Sequence, residues 1–361
     1  ALVITISMLV GLLSGCTATA EGKAIFEAMM KTQTIKSSQS DMEITLKLDS
    51  TGLNESDAAS FAQVSAMLKD AKLSMNMKHV ANEDMTAAKA EVGMDMTLDG
   101  MSMEMGVWAD MDYSGSEPRL KEVIKLPALV FASVPAMAGK EYIVMDLGKE
   151  LRAAETDASG SSADYSDIMK AGKELQEKAN AFLGSYLAQY DPGFKFLSDA
   201  GTKEITTPEG KVNAHIYRVS LDDKSAKKLV RYTVNNLAEN ENAMAFINEY
   251  LKFVQQVSLS TAAPASQPAE LDRIMADFEA KKPELLAEFN AYMDRLENVR
   301  LLGDKGIVIE YAIDEEGFVV NQSTSLNLAI DMAELAAAMD AGSEVTGTIN
   351  AVIDFNTLTY N

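Results

Sequence analysis

Methionine is the residue type through which this sequence could do chemistry. The chain of 361 residues holds 22 methionines, and Met75, Met77, Met94, Met96, Met101, Met103 and Met105 share three short stretches at every second position. Thioether sulfur is a soft ligand, so a cluster of this kind can hold Cu(I). His79 has the parity of Met75 and Met77 and could join such a set. Methionine is also unbranched and polarizable, and it repacks around irregular or flexible apolar guests. The parity that would gather the sulfurs is the parity that would bury them. Asp95, Asp99 and Glu104 fall on or near the wet face. The pattern therefore reads first as core or pocket lining and only second as a copper site.

Other chemistry has little to stand on. There is one cysteine and there are two histidines, His79 and His215, far apart and without zinc-ligand neighbours. No nucleophile elbow or glycine-rich phosphate loop occurs. His215 sits in Ala214-His215-Ile216-Tyr217-Arg218-Val219 with the parity of a half-buried strand residue. Neither catalysis, a cofactor nor a metal is expected. Tyr186, Tyr190, Phe194 and Phe196, around Asp191-Pro192-Gly193, could form a sugar platform, but they read first as a staple where a long helix turns back into the core.

The single thiol, Cys16, has a sharper reading. Ala1 to Leu13 is apolar and uncharged, too short to span the ~30 Å hydrocarbon core but suited to the apolar region of a secretory signal. Leu13-Ser14-Gly15-Cys16 follows and looks like a bacterial lipobox, in which small residues admit the chain to the signal peptidase and the thiolate accepts lipid. The chain starts with Ala and lacks a basic start, so it reads as clipped at its N-terminus. One acyl chain binds a membrane marginally and two anchor it. The resemblance implies a diacylglyceryl thioether on Cys16. It places the protein outside the cytoplasm, anchored by lipid to the outer face of the cell membrane. The net charge of −22 argues against nucleic acid as a partner.

The elements follow from periodicity. Residues 1–16 are expected to be the signal, 17–20 a tether, and 21–361 a single α+β ectodomain. Glu21 to Lys31 reads as a helix, Met42 to Leu48 as a strand and Asp57 to Asp70 as a short helix. Leu73 to Met77, Ala88 to Leu98 and Met101 to Tyr113 alternate as strands, the last two joined at Asp99-Gly100, the two-residue hairpin signal. Tyr142 to Asp146 resumes as strand. The region of about 165–299 is mostly helical: Ser166 to Gln189, Ser225 to Glu239, Ala243 to Val257, and Glu270 to Val299 with an interruption at Pro283. A strand pair, Lys203 to Thr207 and Ala214 to Leu221, sits among these helices. Ile307 to Ile313, Val320 to Ile330 and Val345 to Phe355 return to strand, with a short helix at Glu334 to Ala341. Apolar–polar alternation marks antiparallel strands with one wet face. The expected architecture is a curved antiparallel sheet, an open half-barrel. Its two ends would come from the N- and C-terminal regions, and helices would pack on its concave face.

Taken together, the lipobox cysteine, the short N-terminal helix, the Met-rich strands, Gly139-Lys140-Glu141-Tyr142-Ile143-Val144-Met145-Asp146 and the late β-hairpins resemble surface lipoproteins of clostridia- or bacillus-like Gram-positive bacteria. Some of these are named after a copper amine oxidase N-terminal-like domain, of which no trace is visible before Asn361, so the name implies no copper here. In outline the plan is also similar to lipoprotein carriers of the LolA and LppX type, in which an open sheet shelters lipid. Only Cys16 carries over residue by residue. Three readings stay open: a non-catalytic surface or envelope module, a carrier or sensor of an apolar ligand lined by the seven methionines, and a methionine-based copper binder. The partners these imply are a membrane, reached through the lipid, and an apolar ligand or envelope component.

Overall fold

In the computed structural model the described residues are 19–112, 114, 119–127, 139–146, 165–261, 268–340 and 345–360. They fall into two compact units, a sheet unit and a helical unit.

The sheet unit is one open antiparallel sheet of eleven strands. Ser37–Thr51 (β1), Lys72–Ala81 (β2), Ala87–Leu98 (β3), Met101–Asp112 (β4), Arg119–Lys125 (β5) and Tyr142–Asp146 (β6) come from the first part of the chain. Leu197–Thr207 (β7), Gly210–Leu221 (β8), Leu302–Asp314 (β9), Val319–Asp331 (β10) and Thr348–Tyr360 (β11) come from the last. The order across the sheet is β6-β5-β4-β3-β2-β1-β11-β10-β9-β8-β7. The first and last strands thus meet at the centre, paired from Gln39↔Tyr360 to Thr51↔Thr348, and the outer strands come from mid-chain. This revises the expectation that the sheet's ends belong to the terminal regions. Alternation tells a strand which face to bury and says nothing about which neighbour it pairs with. A polar clasp ties the seam: Asp41 on β1 accepts from Asn76 on β2 at 2.6 Å and from Tyr360 on β11 at 3.0 Å.

The hairpin expected at Asp99-Gly100 is present. Both residues have positive φ, 49° and 71°, as a type I′ turn requires. Short helices decorate the connections: Ala20–Thr32 (α1), Glu55–Leu68 (α2) and, after the helical unit, Met332–Ala338 (α7). The last turn of α1 is stitched to the β9–β10 turn. Val319 donates its N–H to Thr32 Oγ1 at 2.9 Å, and Lys31 lies over the Phe318 ring.

The helical unit contains Tyr165–Leu187 (α3), most of Asp223–Glu239 (α4), Glu241–Thr261 (α5) and Pro268–Arg295 (α6). An aromatic run links them: Phe182 stacks on Phe246 at 5.2 Å and contacts Tyr186, Tyr186 meets Tyr190, and Tyr190 meets Tyr232 edge-on at 5.0 Å. The Asn235 and Asn290 amides exchange hydrogen bonds at 3.0 and 2.9 Å, and Arg231 pairs with Asp294 at 2.6 Å. The interruption expected at Pro283 does not occur, for α6 runs unbroken through it. Proline removes one backbone donor and crowds the carbonyl four residues back, that of Glu279. Both residues are exposed, so water satisfies the freed carbonyl. Fifteen helical residues before the proline and twelve after it carry the helix across.

Candidate functional site

Residues paired in register point to the same face of an antiparallel sheet, so the pairing lays out each face as rows. On one face Met42, Met75, Met94 and Met105 stand side by side on β1, β2, β3 and β4. The next row is Ile44, Leu73, Met96 and Met103, and beyond it Leu98 faces Met101. On the other side of the methionine row come Ser40, Met77, Val92, Val107, Ile124 and Ile143. All seven methionines singled out from sequence therefore share one face of three adjacent strands. None of them is fully buried: Met75, Met94, Met96, Met103 and Met105 are half-buried, and Met77 and Met101 are exposed.

The same face behaves differently at β7–β9, on the far side of β1, β11 and β10. Val219 on β8 and Ile309 and Tyr311 on β9 have no exposed surface, and Leu197, Leu221 and Leu302 are buried. One face of one sheet is thus sealed at β7–β9 and open at β2–β4. At the open end methionines stand among Leu73, Val92, Leu98 and Val107, and at the sealed end the buried side chains are branched or aromatic. A finished core uses shape-restricted side chains at near-crystalline density, whereas methionine suits a surface that must adapt.

The histidines do not come together. His79 lies on β2 and His215 on β8, with four strands between. His215 Nε2 stands 2.9 Å from Asp199 on β7. Asp199 is held below the usual carboxylate range, first by the N–H of Gly201 and less by His215. The pair closes a β7 bulge between Asp199 and Thr202. Among the described residues no three His, Cys, Asp or Glu gather as a metal site. The aromatic residues considered as a sugar platform are core: Tyr186, Tyr190 and Phe196 are buried, and the Tyr190 hydroxyl bonds Thr233 Oγ1. Cys16 and its lipobox lie outside the described residues.

Sequence reasoning missed the feature on the opposite face. Towards β7–β10 that face carries a buried cluster of Ile205, Ala214, Ile216, Ala312 and Val320, and beside the methionine strands it is polar in the row of Glu43, Ser74, Asp95, Glu104 and Asn356. At β2–β6 it changes. A shallow groove of about 470 Å³ crosses β2, β3, β4 and β5 there, floored by Val80, Trp108 and Val123 and rimmed by Lys78, Lys89, Glu91, Asp110 and Lys121. Trp108 is the chain's only tryptophan. Its indole folds back along β4 onto Gly106, which is buried beneath it and faces Gly93 across β3. The Tyr142 ring lies beside it at 6.3 Å. The signal was in the sequence. A tryptophan at a wet-face position, two residues after a glycine, breaks the apolar–polar alternation that the rest of β4 obeys.

Compared with protein-family models, with curated proteins and with solved structures, the chain matches none.

Proposed function

We propose that this is a membrane-tethered, non-catalytic binding protein whose methionine face receives a flexible apolar chain, such as the acyl chain of a lipid. The observation that carries the reading is the in-register row Met42–Met75–Met94–Met105, flanked by further methionines and left partly open on a sheet that buries Val219, Ile309 and Tyr311 completely on the same face. Apolar surface of this extent in water marks a site of interaction, and thioether side chains adapt to a guest with many conformers at small packing cost. The tether rests on the Cys16 lipobox, which would keep the site within reach of membrane lipid. A second reading, a surface module of the envelope, is favoured by the exposed apolar patch on the opposite face. In it the methionine face carries no ligand.

Native mass spectrometry of the full chain, purified gently from its host, tests the first reading. A co-purifying acyl-lipid mass is expected beyond the covalent anchor. Met94→Asp, at the middle of the row, should abolish it and weaken binding of the fluorescent fatty acid cis-parinarate at least ~10-fold, since ~1.4 kcal/mol is tenfold. A mass free of any adduct, together with no parinarate binding, would reject the carrier in favour of the envelope module.

A further inference from the structure

The geometry points to the Trp108 groove as a binding site for an acidic saccharide, a chain of sugar rings bearing carboxylates. The site lies on the face opposite the methionines and stands independently of the reading given to them.

The first argument is the displaced apolar surface. Trp108 is 36% exposed, Tyr142 48%, Val80 55% and Val144 59%. All four sit on the face that carries Glu43, Ser74, Asp95 and Glu104, where alternation along these strands calls for charge or hydroxyl. Glu91, Trp108, Val123 and Val144 form one row across β3 to β6, and Val80, Lys89, Asp110, Lys121 and Asp146 form the next. A cluster of this kind on a wet face marks a contact site.

The second argument is shape. Gly93 and Gly106 face each other across β3 and β4, so the floor has no side chain over two strands. The indole is laid flat into that gap: a Cβ on Gly106 would stand 2.7 Å from Trp108 Cη2 and 3.0 Å from Cζ3. The six-membered ring meets the strand at Gly106 and the side chain stays 36% exposed, with Tyr142 tilted at 56° beside it. The negative face of an aromatic ring attracts weakly positive C–H groups, which a pyranose presents from one side while its hydroxyls point outward. A sugar ring is about as wide as the ~4.8 Å strand spacing, so successive rings match successive strands.

Charge supplies the third argument. The rim carries Lys78, Lys89 and Lys121 against Glu91 and Asp110, with Asp146 beside Lys121 in register, so three ammonium groups gather here on a chain of net −22. Asp110 is engaged by Arg119 at 3.3 Å and Lys78 reaches Glu91 only at 4.0 Å. Lys89 and Lys121 flank Asp110 in register, and neither joins an ion pair among the described residues. Two ammonium groups without ion-pair partners beside an aromatic floor fit a ligand with carboxylates along a ring. A neutral or cationic chain would leave them unused.

Because Trp108 is the only tryptophan, its emission reports on this groove alone. Tetragalacturonate titrated into the full chain should shift or quench that emission in a saturable way, and α-1,4-galactotetraose, its neutral counterpart, should bind at least ~10-fold more weakly. The double variant Lys89→Gln/Lys121→Gln should keep the unliganded emission, showing an intact site, and lose most of the difference between the two sugars. Absence of any response up to about 10 mM, beyond a weak ~1 mM site, would overturn the proposal. So would equal binding of the two sugars, or a response only to phosphatidylglycerol vesicles, which would assign the patch to a lipid surface.

Discussion

The seating of Trp108 on Gly106 makes a prediction with two opposite signs from two neighbouring glycines. Gly106→Ala puts a methyl 2.7 Å from indole Cη2, a separation that real Cβ atoms do not reach, so the ring must lift. Lifting one indole face off its floor exposes roughly 50 Å² on the ring and a similar area on the strand beneath. At ~25 cal/mol per Å² this costs about 2.5 kcal/mol. Replacing glycine by alanine in a strand returns about 0.5–1 kcal/mol through the reduced freedom of the unfolded chain. The net expectation is a loss of about 1.5–2 kcal/mol.

Gly93 is the control. It faces Gly106 in register, but a Cβ there meets only Asn76 O at 4.0 Å. Gly93→Ala should therefore gain about 0.5–1 kcal/mol. Urea denaturation followed by far-UV circular dichroism gives the stabilities, and emission of the folded state reports the ring's position. Gly106→Ala should red-shift that emission as the indole enters water, and Gly93→Ala should leave it unchanged. If both variants are stabilised alike and neither alters the emission, the indole is not seated on Gly106 and the floor of the proposed groove is wrong.

Three further outcomes follow from local chemistry. Pro283→Ala, at an exposed position inside α6, restores a helical hydrogen bond and should raise stability by up to ~3 kcal/mol, less the entropy regained by the unfolded chain; thermal melts measure it, and a loss would mean the proline is needed there. Asp222 accepts the Ser225 N–H at 2.7 Å ahead of α4, and its hydrogen bonds with Ser225 hold its carboxyl below the usual range. Its contribution is therefore present above its unfolded pKa of ~3.9 and lost as pH falls through the lower folded value; Asp222→Ala should cost ~1 kcal/mol at neutral pH, and Asp222→Asn should flatten the acid limb of the stability profile. Tyr360 is pushed up, first by burial and then by its hydrogen bond to Asp41, so the seam keeps its full strength below pH ~10 and weakens as pH rises through the higher folded value. Tyr360→Phe should remove that alkaline loss; an unchanged profile would show that the clasp does not couple to ionisation.

How much of this was legible in the sequence depends on whether the cause is local. The Asp99-Gly100 turn sets its own backbone, so the β3–β4 hairpin and the parity of Met94, Met96, Met101, Met103 and Met105 could be read directly. The junction of β1 with β11 could not, because the register Gln39↔Tyr360 joins residues more than three hundred positions apart, and either strand would alternate identically beside another neighbour. Strand β5 went unread because Arg119 to Lys125 is charged at both ends and short; pairing with β4 and β6, not propensity, makes it a strand. Pro283 misled because a local penalty was set against a helix whose two arms outweigh it. For the candidate sites, parity found the methionines, and attention to that parity concealed Trp108, which matters because it violates it.

The two faces of β2–β4 divide the work by a single rule. The methionine face is continuous across the sheet with the face that holds Ile309 and Tyr311 on β9, yet those two are sealed and Met77 and Met101 are not. Composition alone cannot produce that contrast, since both ends are apolar. Side-chain entropy is one difference: a methionine gives up ~1.5–2 kcal/mol on burial, more than a branched aliphatic side chain such as Ile309. Seven methionines left partly open retain most of that freedom, and an apolar guest would draw on it only when bound. On the reverse face the indole of Trp108 is seated against Gly106. An adaptable face suits a guest defined by hydrophobicity, and an aromatic floor with charges beside it suits one defined by ring shape and carboxylate spacing. The same three strands can therefore serve two ligands of different chemistry without sharing a side chain. Met94→Asp should leave the Trp108 emission unchanged, and Lys89→Gln/Lys121→Gln should leave lipid binding unchanged; cross-talk in either direction would show that the faces are coupled through the strands between them.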